Sequence, residues 1–272
     1  MSDFHKTAII DKKSEIGKNV QVGAFTVISA GARIGDDTVI MDRVHIGPRT
    51  TIGRNNVIHM GAVVGHDAQH RQSAPGSGLL TVGDDNILRE YVTVHRGAEK
   101  ESVTVIGSGN YLMAFSHVGH DCRLGNQITV VNAALLGGHV TLEDNCFVSG
   151  GVAVHQFCRI GRYAMVGGFS SITKDVPPFM LVDNDQQWVA SINLVGLKRA
   201  GFSQETVREI KKAYQLLYLS DLLFADALVE IEKACRAPEV RHLVDFVRAS
   251  KRGILPHRKQ KLETNQEASQ HD

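Results

Sequence analysis

The chain is poor in the residues that most proteins use to fill a core or staple a fold. It has one Trp, five Tyr, ten Phe and only six Pro in 272 residues. A core of useful size must therefore come from small and medium aliphatic side chains. Four cysteines are too few for a disulfide framework in a chain of this length. Net charge is lacking too: 30 Lys and Arg face 29 Asp and Glu, leaving +1, which argues against nucleic acid as a bulk electrostatic partner. No apolar run reaches the roughly 20 residues that span a bilayer. The opening residues MSDFHKTAII lack the charged-then-apolar order of a secretory leader. The expectation is a soluble cytoplasmic protein without a membrane span.

What the chain does have is glycine, 26 residues of it, and an aliphatic ladder. Every sixth residue from Ile10 to Val64 is Ile or Val. The spacing resumes at Val82, Leu88 and Val94, then runs from Ile106 to Ile172. Of 28 such positions only His70, Gly76 and Lys100 are not aliphatic. A period of six fits neither a helix nor simple strand alternation, and it is the mark of a hexapeptide parallel β-helix. Cys122, Cys146 and Cys158 fall two residues before ladder positions, a phase otherwise held by Ala32, Val44, Ala62, Val92, Ala134, Val140 and Ala164. They read as small core apolars rather than metal or redox ligands.

A mainly β protein with a helical end follows. The ladder assigns a β-helix domain to residues 1–185, interrupted by polar, Gly-bearing loops at 65–80 and 96–105. The first loop is a candidate substrate-contacting element. Asp175-Val176-Pro177-Pro178 should end the repeats, because two prolines cannot continue a hydrogen-bonded coil. A helical cap domain is expected over 186–256. Ser203 would cap one helix, Ser220-Asp221 would start a second, and Ala237-Pro238-Glu239 a third. Residues 257–272 are polar and aperiodic, and a frayed tail is expected there.

Three hexapeptides make a coil of 18 residues in such folds, so residues 18 apart stack at about 4.8 Å. On that register Gly138 falls over His120, and His139 over Asp121. His155 lies two coils above Gly119, and Gln156 joins the His120 column. His117 is three residues off that column and flanks it, and His66 would lie three coils below His120. None of these histidines holds a ladder position, so they face outward as a strip. Imidazole accepts a proton near neutral pH, a neighbouring carboxylate can orient it, and glycine N–H groups can approach an oxyanion. Base plus backbone donor points to acyl transfer. No Ser or Cys stands out as an activated nucleophile, so direct attack by the acceptor is favoured.

At these residues the chain resembles the UDP-N-acetylglucosamine acyltransferase family of lipid A synthesis. The resemblance is carried by HRG at 95–97, GSGNYLMAFSHVGHDC at 107–122, GGHV at 137–140, VHQFCRIG at 154–161, DVPP at 175–178 and GLKRAGFS at 196–203. It implies a left-handed parallel β-helix with a C-terminal α-helical domain, assembled as a homotrimer with active sites between subunits. It also implies transfer of a hydroxyacyl chain from acyl carrier protein to the 3-hydroxyl of UDP-GlcNAc, with no cofactor and no metal. By motif match His120 would be the general base, Asp121 its partner and Gly138 the oxyanion donor. His117, His139, His155 and Gln156 would contact substrate, Gly168 would line the acyl pocket, and Asn193 and Arg199 would meet the nucleotide and phosphates.

The departures lie in the substrate contacts. Where the family carries Gln-Asp-Leu-Lys, this chain has Gln69-His70-Arg71-Gln72, keeping only Gln69; Arg71 is placed to replace the lysine charge. Val195 and Ala200 stand where the family has glutamate and arginine, and Trp188 where smaller residues are usual. Each lost charge-assisted contact is worth about 1.5–3 kcal/mol. Two alternatives therefore stand beside acyl transfer: a non-catalytic or differently specific nucleotide-sugar or lipid binder, and a zinc enzyme of the carbonic-anhydrase kind.

Overall fold

A computed structural model describes residues 2–185 and 187–257; apart from His257, the expected tail lies outside them. The fold is a left-handed parallel β-helix followed by four helices. Strands of two to four residues form three sheets of eleven, nine and eight strands, one per side of the coil. Val118 pairs with Leu136 and Leu136 with Val154, so equivalent residues stand 18 apart.

Across the two loops Val64 pairs with Val94 and Val94 with Val118. The loops thus add twelve and six residues, whole hexads, and this is why the ladder keeps phase through His70, Gly76 and Lys100. It also corrects the placement of His66, which lies two coils below His120 rather than three.

Ladder side chains fill the interior. Ile10 and Ile16 are half-buried in the open first coils, whereas from Val22 onward the aliphatic rungs are 4% exposed or less. The phase two residues earlier forms a second inward layer. Cys122, Cys146 and Cys158 occupy it as free, buried thiols. Burial pushes the Cys122 thiol up to about 12, so it stays protonated.

That layer also holds buried Asn56, Asn86 and Asn110. Asn86 donates Nδ2 to Asn56 Oδ1 at 3.0 Å, Asn110 N donates to Asn86 Oδ1 at 2.9 Å, and Ile128 N to Asn110 Oδ1 at 2.8 Å. The column satisfies turn N–H groups that would otherwise be buried unpaired.

At most turns the residue three before the rung has positive φ. One corner meets this demand with Asn19, Asp37, Asn55, Asp85, Gly109, Gln127 and Asn145, mostly types that tolerate the left-handed region. The other two use glycine only in part, at Gly61 and Gly151 on the second and Gly31 on the third, and place bulky residues there more often. The second carries Phe25, Arg43, Tyr91, Phe115 and Phe169; the third carries Asp121, His139 and Phe157, one above another. Strained side chains at these two corners mark them as places where the residue matters more than the turn.

The prolines do not stop the coil at once. Strand Met180–Val182, beyond them, still pairs in parallel with Met165–Val166 before Val189–Ile192 returns antiparallel. Helix α1 spans Leu194–Arg199, α2 Gln204–Tyr218, α3 Phe224–Ala234 and α4 Pro238–Arg248. Ser203 caps α2 through Thr206 N at 3.0 Å. Ser220 does not start the next helix, because its Oγ donates back to Leu216 O at 2.6 Å and α3 begins only at Phe224. Pro238 opens α4. His242 on α4 reaches Glu143 Oε2 at 2.7 Å and Arg159 lies 4.0 Å over Phe246, fastening the helices to the coils.

Replacing Asn86 by Val, of similar size but without hydrogen-bonding atoms, strands the Asn110 N–H. The expected loss is about 1–3 kcal/mol of stability, seen as a lower unfolding midpoint with the fold retained.

Candidate active site

The third corner carries the strip expected from the sequence. His139 N donates to His120 O at 2.9 Å and Phe157 N to Gly138 O at 3.1 Å, so the coils of 120, 138 and 156 stack directly. His120 follows strand His117–Val118, and Asp121 holds φ 60°. That turn aims the Asp121 carboxylate back at its neighbour: His120 Nδ1 donates to Asp121 Oδ2 at 2.7 Å, with the two side chains 12% and 9% exposed.

Burial alone would raise the Asp121 carboxyl, but hydrogen bonds from His120, Ser102 and the Ala98 N–H, with His139 nearby, hold it below the usual carboxylate range. With Nδ1 donating to an ionised carboxylate, His120 presents a lone pair at Nε2.

Gly138 meets that nitrogen. A Cβ on Gly138 would stand 2.6 Å from His120 Nε2, so only glycine lets the backbone come this close. At several other turns the equivalent N–H is capped by a side chain one coil on, as Lys18 N is by Asp36 at 2.7 Å and Asn126 N by Asp144 at 2.7 Å. Among the described residues no such cap takes the Gly138 N–H.

A cavity of about 390 Å³ opens here, lined by Gln69 and His70 from the first loop and by His95, His117, His120 and His155, together with Gln156 and the Gly119, Gly137 and Gly138 backbone. The His70 ring stands edge-on to His120 at 5.5 Å. His139 lies edge-on to it at 5.2 Å and stacks on Phe157 at 4.5 Å. His117 exchanges a hydrogen bond with Thr93 at 2.8 Å. Burial, then His95 and His120, pushes the His117 pKa down to about 4. His95 is lowered as well, chiefly by burial.

Of the residues expected in the site, Gln69, His117, His120, Gly138, His155 and Gln156 line one cavity, and Asp121 and His139 adjoin it. Gly168, Asn193 and Arg199 do not line it. Asn193 caps α1 through Gly196 N at 3.0 Å and donates to Tyr163 O at 2.9 Å, a short helix the sequence reading missed. Arg199 is exposed near the end of α1, and a Cβ on Gly168 would meet only Gly150 O at 3.5 Å, leaving open space. The cavity also takes in His95, whose signal is the HRG run, and His70, one of the departures from the family pattern; neither is expected in the site from the sequence.

The ligand atoms of His120, Asp121 and His139 lie within 4.8 Å of one another, close enough to hold a metal ion. That set is two imidazoles and a carboxylate, not the three imidazoles a carbonic-anhydrase-like centre requires.

Comparison with known proteins agrees along the chain. Residues 31–66 match the bacterial transferase hexapeptide family, and 175–255 match UDP-N-acetylglucosamine O-acyltransferase domain 2. A relative from Alkalilimnicola ehrlichii, an acyl-[acyl-carrier-protein]–UDP-N-acetylglucosamine O-acyltransferase, is 44% identical over 94% of this chain and 100% of its own. One of the same name from Herminiimonas arsenicoxydans is 40% identical over the same shares. The UDP-N-acetylglucosamine acyltransferase structure from Francisella novicida superposes with TM-score 0.90 at 35% identity, covering 94% of both chains. That from Bacteroides fragilis gives 0.90 at 36% identity, over 92% of this chain and 99% of the other.

Two outcomes follow from this geometry. Gly138→Ala should push the His120 ring aside and lower kcat at least about 100-fold in a steady-state assay, with circular dichroism unchanged. Between the ordinary imidazole value of 6.5 and about 4, the unfolded chain binds a proton at His117 that the folded protein does not. Stability is therefore full above that window and falls as pH drops through it. In His117→Asn, unfolding midpoints measured from pH 7 to 4.5 should decline less steeply.

Proposed function

Because the chain belongs to the UDP-N-acetylglucosamine O-acyltransferase family, we propose that it transfers a 3-hydroxyacyl chain from acyl carrier protein to the 3-hydroxyl of UDP-GlcNAc in the cytoplasm. One observation carries this reading above the others: an imidazole held by a carboxylate at Nδ1 faces, through Nε2, a backbone whose N–H has no side-chain cap among the described residues.

The acceptor hydroxyl gives its proton to His120 Nε2 as its oxygen attacks the thioester carbonyl. Asp121 stabilises the imidazolium, and the Gly138 N–H donates to the oxyanion that develops on the carbonyl oxygen. Collapse breaks the C–S bond, and the carrier thiolate takes the proton back from His120. The products are the ester and the free thiol. No acyl-enzyme forms, and the buried, protonated cysteines offer no competing nucleophile.

Gln69, His139, His155 and Gln156 serve as polar contacts to the acceptor. His117, neutral through the physiological range, contacts substrate without adding charge. Gly168, Asn193 and Arg199 belong to the acyl and nucleotide ends of a longer site that neighbouring subunits complete. The division into a β-helix domain, 1–185, and a helical cap, 186–256, is part of the same proposal.

The outer surfaces support a homotrimer. The side bearing Val39, Val57, Ile87, Tyr111, Phe147 and Met165 and the side bearing Val27, Val63 and Leu135 meet at the aromatic corner. There Phe115 and Phe169 are 61% and 77% exposed, with Leu135 at 49% and Ile87 at 38% beside them. The third side carries Glu15, Arg33, Arg123 and Arg159, as suits a surface left in water. Two sides that both carry exposed apolar residues and meet at one edge fit three copies around an axis.

His120→Ala should lose at least about 1,000-fold in transfer from hydroxyacyl carrier protein to UDP-GlcNAc, followed by mass spectrometry of the product. Wild-type turnover no faster than the variant's would remove His120 from the mechanism.

A further inference from the structure

Arg96 heads the largest fully buried side chains among the described residues, at 1% exposure. A methionine or leucine would fill such a place without desolvating a charge. The guanidinium is held on both sides: Nη1 donates to Pro48 O at 2.7 Å, on an earlier stretch of coil, and Nη2 to Asp67 Oδ1 at the entry of the first loop.

Asp67 is gripped twice more. Its carbonyl accepts from His95 Nδ1, and its carboxylate accepts across the loop from Gly76 N at 3.0 Å. On the returning arm Ser73 Oγ donates to Ala98 O at 2.7 Å, and Gly97 N donates to Leu79 O at 3.1 Å. Four consecutive residues, His95–Ala98, therefore hold the loop at its entry, its middle and its exit. The same segment supports the base, because Ala98 N donates to Asp121 Oδ2 at 3.1 Å.

The stretch from Gln69 to Gly78, QHRQSAPGSG, brings almost no apolar side chain to the core. Its ordering must offset the entropy of a twelve-residue insertion with polar contacts alone. At the entry and middle of the loop those contacts converge on Asp67, which Arg96 holds. At the far end of what they hold, Gln69 and His70 line the cavity over His120.

We propose that Arg96, acting through Asp67, is a positioning residue that fixes the first loop over the general base and so sets affinity for the acceptor. The acceptor's identity rests on the acyltransferase reading above; the clasp itself does not.

Arg71 makes the clasp measurable, because it is the only Lys or Arg between Gly65 and Leu80. The variants are Asp67→Asn, at a half-exposed and fold-tolerant position, with Arg96→Met and Arg96→Lys beside it. Cleavage by trypsin after Arg71, read by mass spectrometry on the full chain, should be at least tenfold faster in Asp67→Asn and Arg96→Met, with Arg96→Lys between them and wild type. In the same variants the KM for UDP-GlcNAc should rise at least tenfold and by more than kcat falls. Arg71 as resistant in Asp67→Asn as in wild type would overturn the proposal, as would a loss confined to kcat. A wild-type protein that turned over no nucleotide sugar would sink the acyltransferase reading, and proteolysis at Arg71 would still decide the clasp.

Discussion

Everything in this molecule depends on register between coils. Each strand of two to four residues makes too few hydrogen bonds to stand alone, and it is stable only because an identical strand lies one coil above and another below. Registered stacking puts Leu136 over Val118 in the core, and with equal force Gly138 over His120 and His139 over Asp121 outside it. The site inherits its accuracy from the core. Its groups stand on short turns between strands, on the stiffest part of the fold, which suits a reaction that needs a base and an oxyanion donor fixed in advance.

The same repetition explains what was legible in the sequence. A period of six with an 18-residue coil located the strip before any coordinates, because Ile, Val and Leu at one phase fix where every other phase points. Loops broke the arithmetic only for His66, whose offset depends on how many hexads each loop adds. The helical end was less readable. Ser203 and Pro238 carry local signals that the structure uses, but Ser220 bonds backward to Leu216 O at 2.6 Å and forward only to Leu222 N at 3.4 Å, ahead of the helix. The short helix after Asn193 has a local cap, but the cap's side chain is also held by Tyr163 O, 30 residues away. A local motif cannot announce a partner that only the tertiary fold supplies.

Among the histidines, environment rather than residue type assigns the work. His117 and His120 stand three residues apart on neighbouring positions of one coil. The first is half-buried beside another imidazole and stays neutral; the second leans on a carboxylate that hydrogen bonds keep ionised. The departures in the first loop fall outside this arrangement. His70 stands on the loop side of the cavity, while the His120–Asp121 pair and the glycines lie on the coils. The cavity is thus built from two separable parts, a loop wall and a coil floor.

Both loops leave the coil at one corner and return to it in register, and this has a consequence for how such a chain can change. An insertion within a stacked strand or turn rotates every later rung out of the core unless it is a multiple of six, whereas one within an extruded loop changes the loop alone. Length variation is thereby channelled into one wall of the cavity. The protein can rebuild that surface while the scaffold beneath it keeps its register.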